Sequence, residues 1–543
     1  MSFVRIHLKQ GLSILVYLLL ASLLIGLHVR LQRYAFDDAY IHFRVASHLI
    51  ETGAPYFNPH EMVKVSTSSG WVVFLAIVYG LARIVHAEGS LPLLIGIINA
   101  ITTFAVMIVY SKVAGSVLGS KLTLLQNLVL QAILLAVLLP SSIGLMETPL
   151  ALLIAGLGLY WLLRAKLWGF ALLGLSIYFR LELSILVLLV CVFSVFRSHV
   201  RIPQMIGYLC SGVLPLVCFD LYFYHSVVPH SVIAKSLIYD LTPMNTIMDV
   251  LKESIPGLSL AGEVLPIVGD ITLILIVIQL CRTILDDRAI LKTSFYPAVL
   301  CVSGLLILLL YICQHTLLFD WYVPLYMVPI TVALFLYTHS SKFPNNAWPG
   351  ILLLLLFGLS ASCISLTAYA AFYKPNYFTL FESSSRVKTY QMVGKIIQED
   401  YPDATFLSSE IGGLGYVFKG KIFDAAGLAS PDSLAFHPLH VPDQRSSGYL
   451  GAIPPGYVKS VNPDIIVSYD TFAEALLLDP LTAQYNIYAL PAYQPADIVF
   501  SETGTIWGST YIRVYVRKSL PVSKKICALA VFSNAPSTCR QIQ

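Results

Sequence analysis

The chain has 543 residues, of which 57% are apolar and only 12% charged, against about 25% charged in ordinary soluble domains. That balance excludes an ordinary water-soluble protein, and a net charge of +4 spread over short loops makes no nucleic-acid patch. The length divides naturally into one membrane domain, residues 1–374, and one smaller soluble domain, residues 375–543.

Residues 11–29 are almost wholly apolar and long enough to cross a bilayer. Arg5, His7 and Lys9 precede them, which puts the N-terminus in the cytoplasm. No A-x-A-like cleavage site follows closely, so the segment is expected to be a retained anchor. Next comes Phe36-Asp37-Asp38-Ala39-Tyr40-Ile41-His42-Phe43, an acidic pair on the outer side that opens a helix expected to end near Gly53. One reading makes an aspartate the helix cap. A cap needs one carboxylate, however, and the second is left over. Asn58-Pro59-His60-Glu61 and Thr67-Ser68-Ser69-Gly70-Trp71 follow within the same outer loop, about residues 31–91.

Further apolar segments lie at 92–111, 122–139, 148–163, 167–179, 183–196, 205–224, 264–281, 296–313, 317–337 and 348–371. They give about eleven spans if the short segment 71–86 lies along the outer surface or dips partway in. Making 71–86 span and fusing 167–196 gives the same total. On the first count Lys112 with Lys121, Arg164 with Lys166, Arg197 with Arg201 and Arg282 with Arg288 are all expected to be cytoplasmic, and both counts place the C-terminal region outside.

The remaining polar clusters then fall on the outer side: Glu147, Arg180 with Glu182, His230 with Lys235, and His315 with Asp320. Ionisable residues at membrane depth are costly and face a cavity or one another. Arg180 and Glu182 are read either as site residues or as an ion pair, and Glu147 either as a pocket residue or as a favourable charge at a helix start.

Beyond residue 375 the pattern changes. Lys388 to Glu399 reads as an amphipathic helix, and Ala404–Ser408, Pro463–Ser468 and Trp507–Val516 read as buried strands of a mixed α/β domain. The glycine-rich run Ile411–Tyr416 lacks the G-x-G-x-x-G spacing of a phosphate loop. Seven of the nine cysteines sit in or beside apolar spans, whereas Cys527 and Cys539 belong to the tail, as a disulfide or as two thiols.

The order D-D-A-Y-I-x-F-R, then G-x-x-Y/F-N-P-x-E, then T-S-x-x-W, resembles GT-C membrane glycosyltransferases, most closely the mycobacterial-type terminal arabinofuranosyltransferases and their bacterial relatives. The first motif also looks like the acidic pair of protein O-mannosyltransferases and aminoarabinose lipid A transferases. The resemblance is strong over residues 33–75, patchy to about 430 and not evident in the last hundred residues. Glu147 matches a G-[LM]-E-[TS] element with stretched spacing. Arg180-Leu181-Glu182 matches R-P-E with Leu in place of Pro, and Ala234-Lys235 matches P-N-T-x-x-A-K where this chain has Pro229-His230-Ser231. Ile411–Tyr416 with the residue before it matches E/D-x-G-x-[LI]-G-Y, and Asp424–Leu428 matches D-x-x-G-L.

The resemblance implies an α-helical polytopic GT-C protein of the bacterial inner membrane, with its active site and small C-terminal domain on the periplasmic side. It further implies transfer of a monosaccharide from a polyprenyl-phosphate donor to an extracytoplasmic glycan, lipid or protein acceptor, with inversion. Asp37 is the expected general base, and Asp38 orients it or helps hold the acceptor or a divalent cation (Mg²⁺ or Mn²⁺), should one be used. Arg180 and Lys235 are the expected contacts of the donor phosphate, with His60, Glu61, Glu147, Glu182 and His230 as pocket residues. A transporter or flippase of lipid-linked or envelope glycans is the alternative, although no inverted-repeat pattern of broken helices accompanies it.

Overall fold

The structure is a computed structural model that describes residues 2–198, 200–238, 243–253, 268–269, 271–278, 295–314, 317–339, 348–374, 381–437, 439, 452–492, 509–533 and 539. In chain order the helices are α1 (Ser2–Leu31), α2 (Asp37–Thr52), α3 (Ser69–Ile84), α4 (Leu91–Leu118), α5 (Leu124–Ile143), α6 (Thr148–Leu163), α7 (Gly169–Ile177) and α8 (Leu183–Ser198). They continue with α9 (Ile202–Tyr224), α10 (His230–Ile238), α11 (Pro243–Glu253), α12 (Phe295–Cys313), α13 (Val323–His339), α14 (Trp348–Phe372) and α15 (Phe381–Asp400). The chain forms two compact units. The first comprises Met1–Arg33, Gly89–Cys218 and Pro243–Thr379, the second Tyr34–Glu88, Phe219–Thr242 and Leu380–Gln543. The expected soluble domain is therefore accompanied in its unit by the first outer loop and by the segment around α10.

The first unit is a helical membrane bundle. Six described helices are long and apolar enough to cross a membrane: those within Ser13–Tyr34, Glu88–Leu118, Leu124–Ile143, Ile202–Tyr224, Phe295–Cys313 and Pro349–Phe372. Shorter apolar helices occupy Thr148–Leu163, Leu183–Phe196 and Val323–His339. The chain is a multi-pass membrane protein. Ile14, Leu15, Leu18 and Leu19 of α1 are each more than half exposed, as suits side chains facing lipid. Inside the bundle small residues set the closest approaches, as is usual between membrane helices: a Cβ on Gly158 of α6 would stand 2.9 Å from the carbonyl of Gly169 in α7. Of the expected span 264–281, only 268–269 and 271–278 are described, as helix; the rest, with Arg282, Arg288 and His315, lies outside the described residues.

The second unit is built on a six-stranded mixed sheet of order β2-β1-β3-β5-β4-β6. Its strands are β1 (Phe406–Ser408), β2 (Ile422–Asp424), β3 (Ile465–Tyr469), β4 (Tyr485–Pro491), β5 (Tyr511–Arg517) and β6 (Phe532–Ser533). β2, β1 and β3 run parallel; β5 and β4 add antiparallel pairs. All five residues of β3 are buried, because a central strand is covered on both faces. Leu407, Ile453, Val458, Ile466, Leu476 and Tyr515 form the core on one face. Three short helices complete the part of this unit that bears on function: α16 (Gly412–Val417) after β1, α17 (Pro455–Val461) and α18 (Asp470–Leu477). A final helix, α19 (Lys524–Leu529), carries Cys527, which is disulfide-bonded to Cys539.

Candidate active site

α2 begins where the acidic pair predicts and ends at Gly53, whose φ of +78° is the left-handed conformation that suits glycine. Neither aspartate is the cap. The N-cap is Phe36, with extended backbone and no side-chain capping bond, so Asp37 and Asp38 are the first two helical residues. Negative charge is favourable there, and both side chains remain available for other partners.

Asp37 uses its carboxylate on the second unit's glycine turn. The Gly412 N–H donates to Oδ2 at 2.8 Å and the Gly413 N–H to Oδ1 at 2.7 Å, so each oxygen is fixed by a different amide. These N–H groups open α16 and would otherwise be unpaired. Seven residues later on α2, the Arg44 guanidinium serves the other end of α16. It donates to the carbonyls of Gly415 at 2.6 Å, Phe418, and Gly420 at 2.9 Å, and to Phe57 at 2.7 Å. A residue and its i+7 neighbour lie on one helix face. One face of α2 thus presents an anion to the positive end of α16 and a cation to its negative end. Gly412 is required by space: a Cβ there would lie 1.9 Å from the Asp37 carbonyl oxygen.

Asp38 makes a different contact, an ion pair with Lys235 of α10 at 3.2 Å, the two side chains being 28% and 12% exposed. Lys235 is positioned through Lys64. The buried Lys64 ammonium donates to Asp220 Oδ2 at 2.6 Å and to the Val227 carbonyl at 2.7 Å, while Ser69 donates to Asp220 Oδ1 at 2.5 Å. The Lys64 carbonyl then accepts the His230 N–H at 3.0 Å, and the His230 ring lies 3.0 Å from the Gly427 carbonyl. His230 therefore anchors the start of α10 on both sides.

A third carboxylate belongs to the same unit. Glu410 pairs with Arg386 of α15 at 2.9 Å, and its second oxygen is buried without a hydrogen-bond partner among the described residues. Burial pushes the Glu410 carboxyl up to about 8, with Arg386 opposing and Asp37 adding to the rise. Burial likewise raises Asp37 above the usual carboxylate range, outweighing the two glycine N–H bonds and Arg386. Asp424 is pushed up to about 7 by burial; its oxygens accept from the Ala426 and Ala429 N–H groups at 2.9 and 2.8 Å.

The other expected loop residues stand apart in role. His60 is exposed with a φ of +66°. Glu61 pairs with Lys421 at 2.5 Å in a surface bridge, and Asn58 exchanges two hydrogen bonds with the Ile422 backbone, 2.9 and 3.0 Å long, completing the edge of β2. In the first unit, Arg180 Nη1 meets Glu147 at 2.8 Å, Nη2 meets Glu182 at 2.5 Å, and Nε donates to the second Glu182 oxygen at 3.2 Å. The Tyr311 hydroxyl donates to Glu182 at 2.9 Å, and the guanidinium sits 4.6 Å over the Tyr322 ring. A divalent cation finds no ready ligand set: among the described residues no group of three or more His, Cys, Asp and Glu is arranged to hold one, and Asp38 faces an ammonium.

Sequence reasoning missed Lys64 and Arg386, and it held Arg44, Glu410, Gly412 and Gly413 only as parts of motifs with no role at the site. Arg44 closes the quoted motif, and its i+7 spacing from Asp37 is the signal that could have exposed the shared face.

Comparison with known proteins bears on the fold. A domain of unknown function (DUF8728) matches residues 379–515. No curated protein sequence matches the chain. Among solved structures, the chain is similar to ArnT from Cupriavidus metallidurans, crystallised with undecaprenyl phosphate, at a TM-score of 0.52 and 10% identity, over 94% of this chain and 99% of that one. The fold is that of a polytopic, GT-C-like membrane protein with a small C-terminal sheet domain.

Proposed function

We propose that this chain is an integral membrane glycosyltransferase that moves a monosaccharide from a polyprenyl-phosphate donor to an extracytoplasmic glycan, lipid or protein acceptor, with Asp37 as general base. The observation that carries the reading is the clamp on Asp37: a carboxylate at the start of α2, oriented by two backbone N–H groups and kept partly accessible. Each oxygen retains a lone pair, and burial makes the group more basic than a free aspartate. The fold shared with ArnT, crystallised with undecaprenyl phosphate, supports the donor class.

The acceptor hydroxyl would give its proton to Asp37 as its oxygen attacks the anomeric carbon. The bond from that carbon to the phosphate oxygen breaks with its electron pair on the phosphate, and the configuration inverts. Phosphate is already a good leaving group, so the enzyme's task is to supply positive charge and orientation. Lys235, held beside Asp38, supplies that charge from this unit. Asp38 holds Lys235 in place through their ion pair. We assign the active site and the C-terminal domain to the periplasmic side of a bacterial inner membrane, on the charge pattern of the loops.

The test is a panel of lipid-linked sugars offered to membranes containing the protein. The reading expects free polyprenyl phosphate to appear with one donor only when acceptor is present. Movement of intact lipid-linked sugar across the membrane without release would favour the transporter reading.

A further inference from the structure

Apart from these carboxylates, the first unit contains a cavity of about 800 Å³, within the range of roughly 300–1,000 Å³ typical of small-molecule sites. It is walled by α1, the end of α4, the turn at Gly119–Leu122, the start of α5 and the end of α6. Among the described residues three cations line it, Lys112, Lys121 and Arg164, and no acidic residue does. Arg164 follows the last residue of α6 and lies 5.3 Å over the Tyr160 ring, which also faces the cavity. Unbalanced positive charge beside apolar helices attracts an anion, and the loops carrying these cations are expected on the cytoplasmic side.

A second observation comes from deeper in the same cavity. Gln131, only 2% exposed, donates to Ser111 Oγ at 3.2 Å and to the Tyr17 hydroxyl at 3.3 Å, yet its other amide atom is buried with no hydrogen-bond partner among the described residues. A buried amide atom without a partner is costly, and such a group in a lined cavity calls for a polar occupant. The start of α5 makes no such demand, because Thr123 and Gln126 close it with a reciprocal capping box. The requirement therefore rests on side chains: cations around the cavity and an unsatisfied amide within it.

We propose that this cavity binds a glycerophosphate group, its phosphate among Lys112, Lys121 and Arg164 and its hydroxyl on Gln131. Phosphate alone answers the cations and leaves the amide unsatisfied. A zwitterionic choline head offers no hydroxyl and brings its own positive charge. A phosphoglycerol head offers both an anion and a donor. The group arrives on a lipid of the adjoining leaflet or as free glycerol phosphate.

The experiment is native mass spectrometry of the full chain in detergent, titrated with phosphatidylglycerol and, separately, with phosphatidylcholine of the same acyl chains. Phosphatidylglycerol should bind one-to-one in preference. In the Lys112→Gln, Lys121→Gln, Arg164→Gln triple variant its affinity should fall roughly a hundredfold, about fivefold per cation. Gln131→Leu should narrow the preference for phosphatidylglycerol over phosphatidic acid, which keeps the phosphate and lacks the glycerol hydroxyls. Competition by millimolar glycerol 3-phosphate would assign the site to the free anion, and its absence to the lipid; either result keeps the site. Equal binding of phosphatidylcholine, or undiminished phosphatidylglycerol binding by a triple variant with wild-type melting behaviour, would overturn it. If the triple variant does not fold, the single lysine variants should still weaken the salt dependence of binding, and unchanged salt dependence would overturn the proposal.

Discussion

Gly412→Ala tests the clamp without touching a titratable group. The new Cβ would stand 1.9 Å from the Asp37 carbonyl oxygen and 2.7 Å from its Cγ, closer than any real contact, so α2 and the turn must separate. Separation removes two hydrogen bonds to a carboxylate, at 2.8 and 2.7 Å. Each is worth ~1.5–3 kcal/mol where the acceptor is charged. Displacement of a reacting group by about 1 Å costs on the order of a hundredfold in rate. Gly412→Ala should therefore lower kcat by roughly a hundredfold. Because N–H donors favour the ionised carboxylate, their loss raises the pKa of Asp37, so the acid limb of the pH–rate profile should move to higher pH. Gly89→Ala, where an added Cβ meets nothing within 4 Å, is the control. The assay is release of polyprenyl phosphate across pH, with thermal melting to verify folding. A folded Gly412→Ala protein with wild-type rate and an unmoved profile would refute the positioning argument.

Three further outcomes follow from the structure. Glu410, raised to about 8 in the folded state from an ordinary 4.5, contributes a destabilisation that grows as pH rises through that window, and Glu410→Gln should remove it. Melting curves of the two proteins should diverge as pH rises from about 4.5 to about 8 and keep a constant gap above that, and curves parallel across the whole range would contradict the shift. In the first unit, Arg180→Lys cannot copy a fork that meets Glu147 and both oxygens of Glu182, so it should lose much of the activity or the stability. Near-normal transfer by a destabilised Arg180→Ala would make the residue an internal ion-pair partner only. Finally, mass mapping under non-reducing conditions should link Cys527 to Cys539, and replacing both with serine should cost roughly 2–3 kcal/mol of the sheet domain's stability; free thiols in fresh membranes would contradict the bond.

The sequence carried the membrane bundle and the start of the site well, for physical reasons. Long apolar helices announce themselves by length, and α2 by its acidic start and Gly53 stop. The capping reading of the aspartates failed because a cap is a backbone property of Phe36, invisible in residue type. The partner of Asp37 lies 375 residues away in a run that looked like a weak phosphate loop. Gly412 lets α2 approach, and Gly413 lets the turn pack against Val387 of α15. β2, β4 and β6 escaped notice: strands of three and two residues show no alternation, and β4, buried at five of its seven positions, shows no period of two either. Asn58, flagged only as part of a motif, finishes the edge of one of them. The close grouping of 34–88 with 380–543 rests on such long-range polar contacts, which periodicity cannot register.

The most direct measurement is transfer by Asp37→Asn and Asp38→Asn beside wild type, read as free polyprenyl phosphate released from a labelled lipid-linked sugar. Asn keeps the shape of Asp37 and an oxygen for one of the two glycine N–H groups, turns an NH₂ toward the other, and cannot take a proton. General-base assistance is worth ~10²–10⁴-fold, so Asp37→Asn should fall by at least that factor while remaining folded in thermal melting. Asp38→Asn, which weakens the hold on Lys235, should fall less. Wild-type release by both variants would contradict the assignment of this pair as the reaction centre.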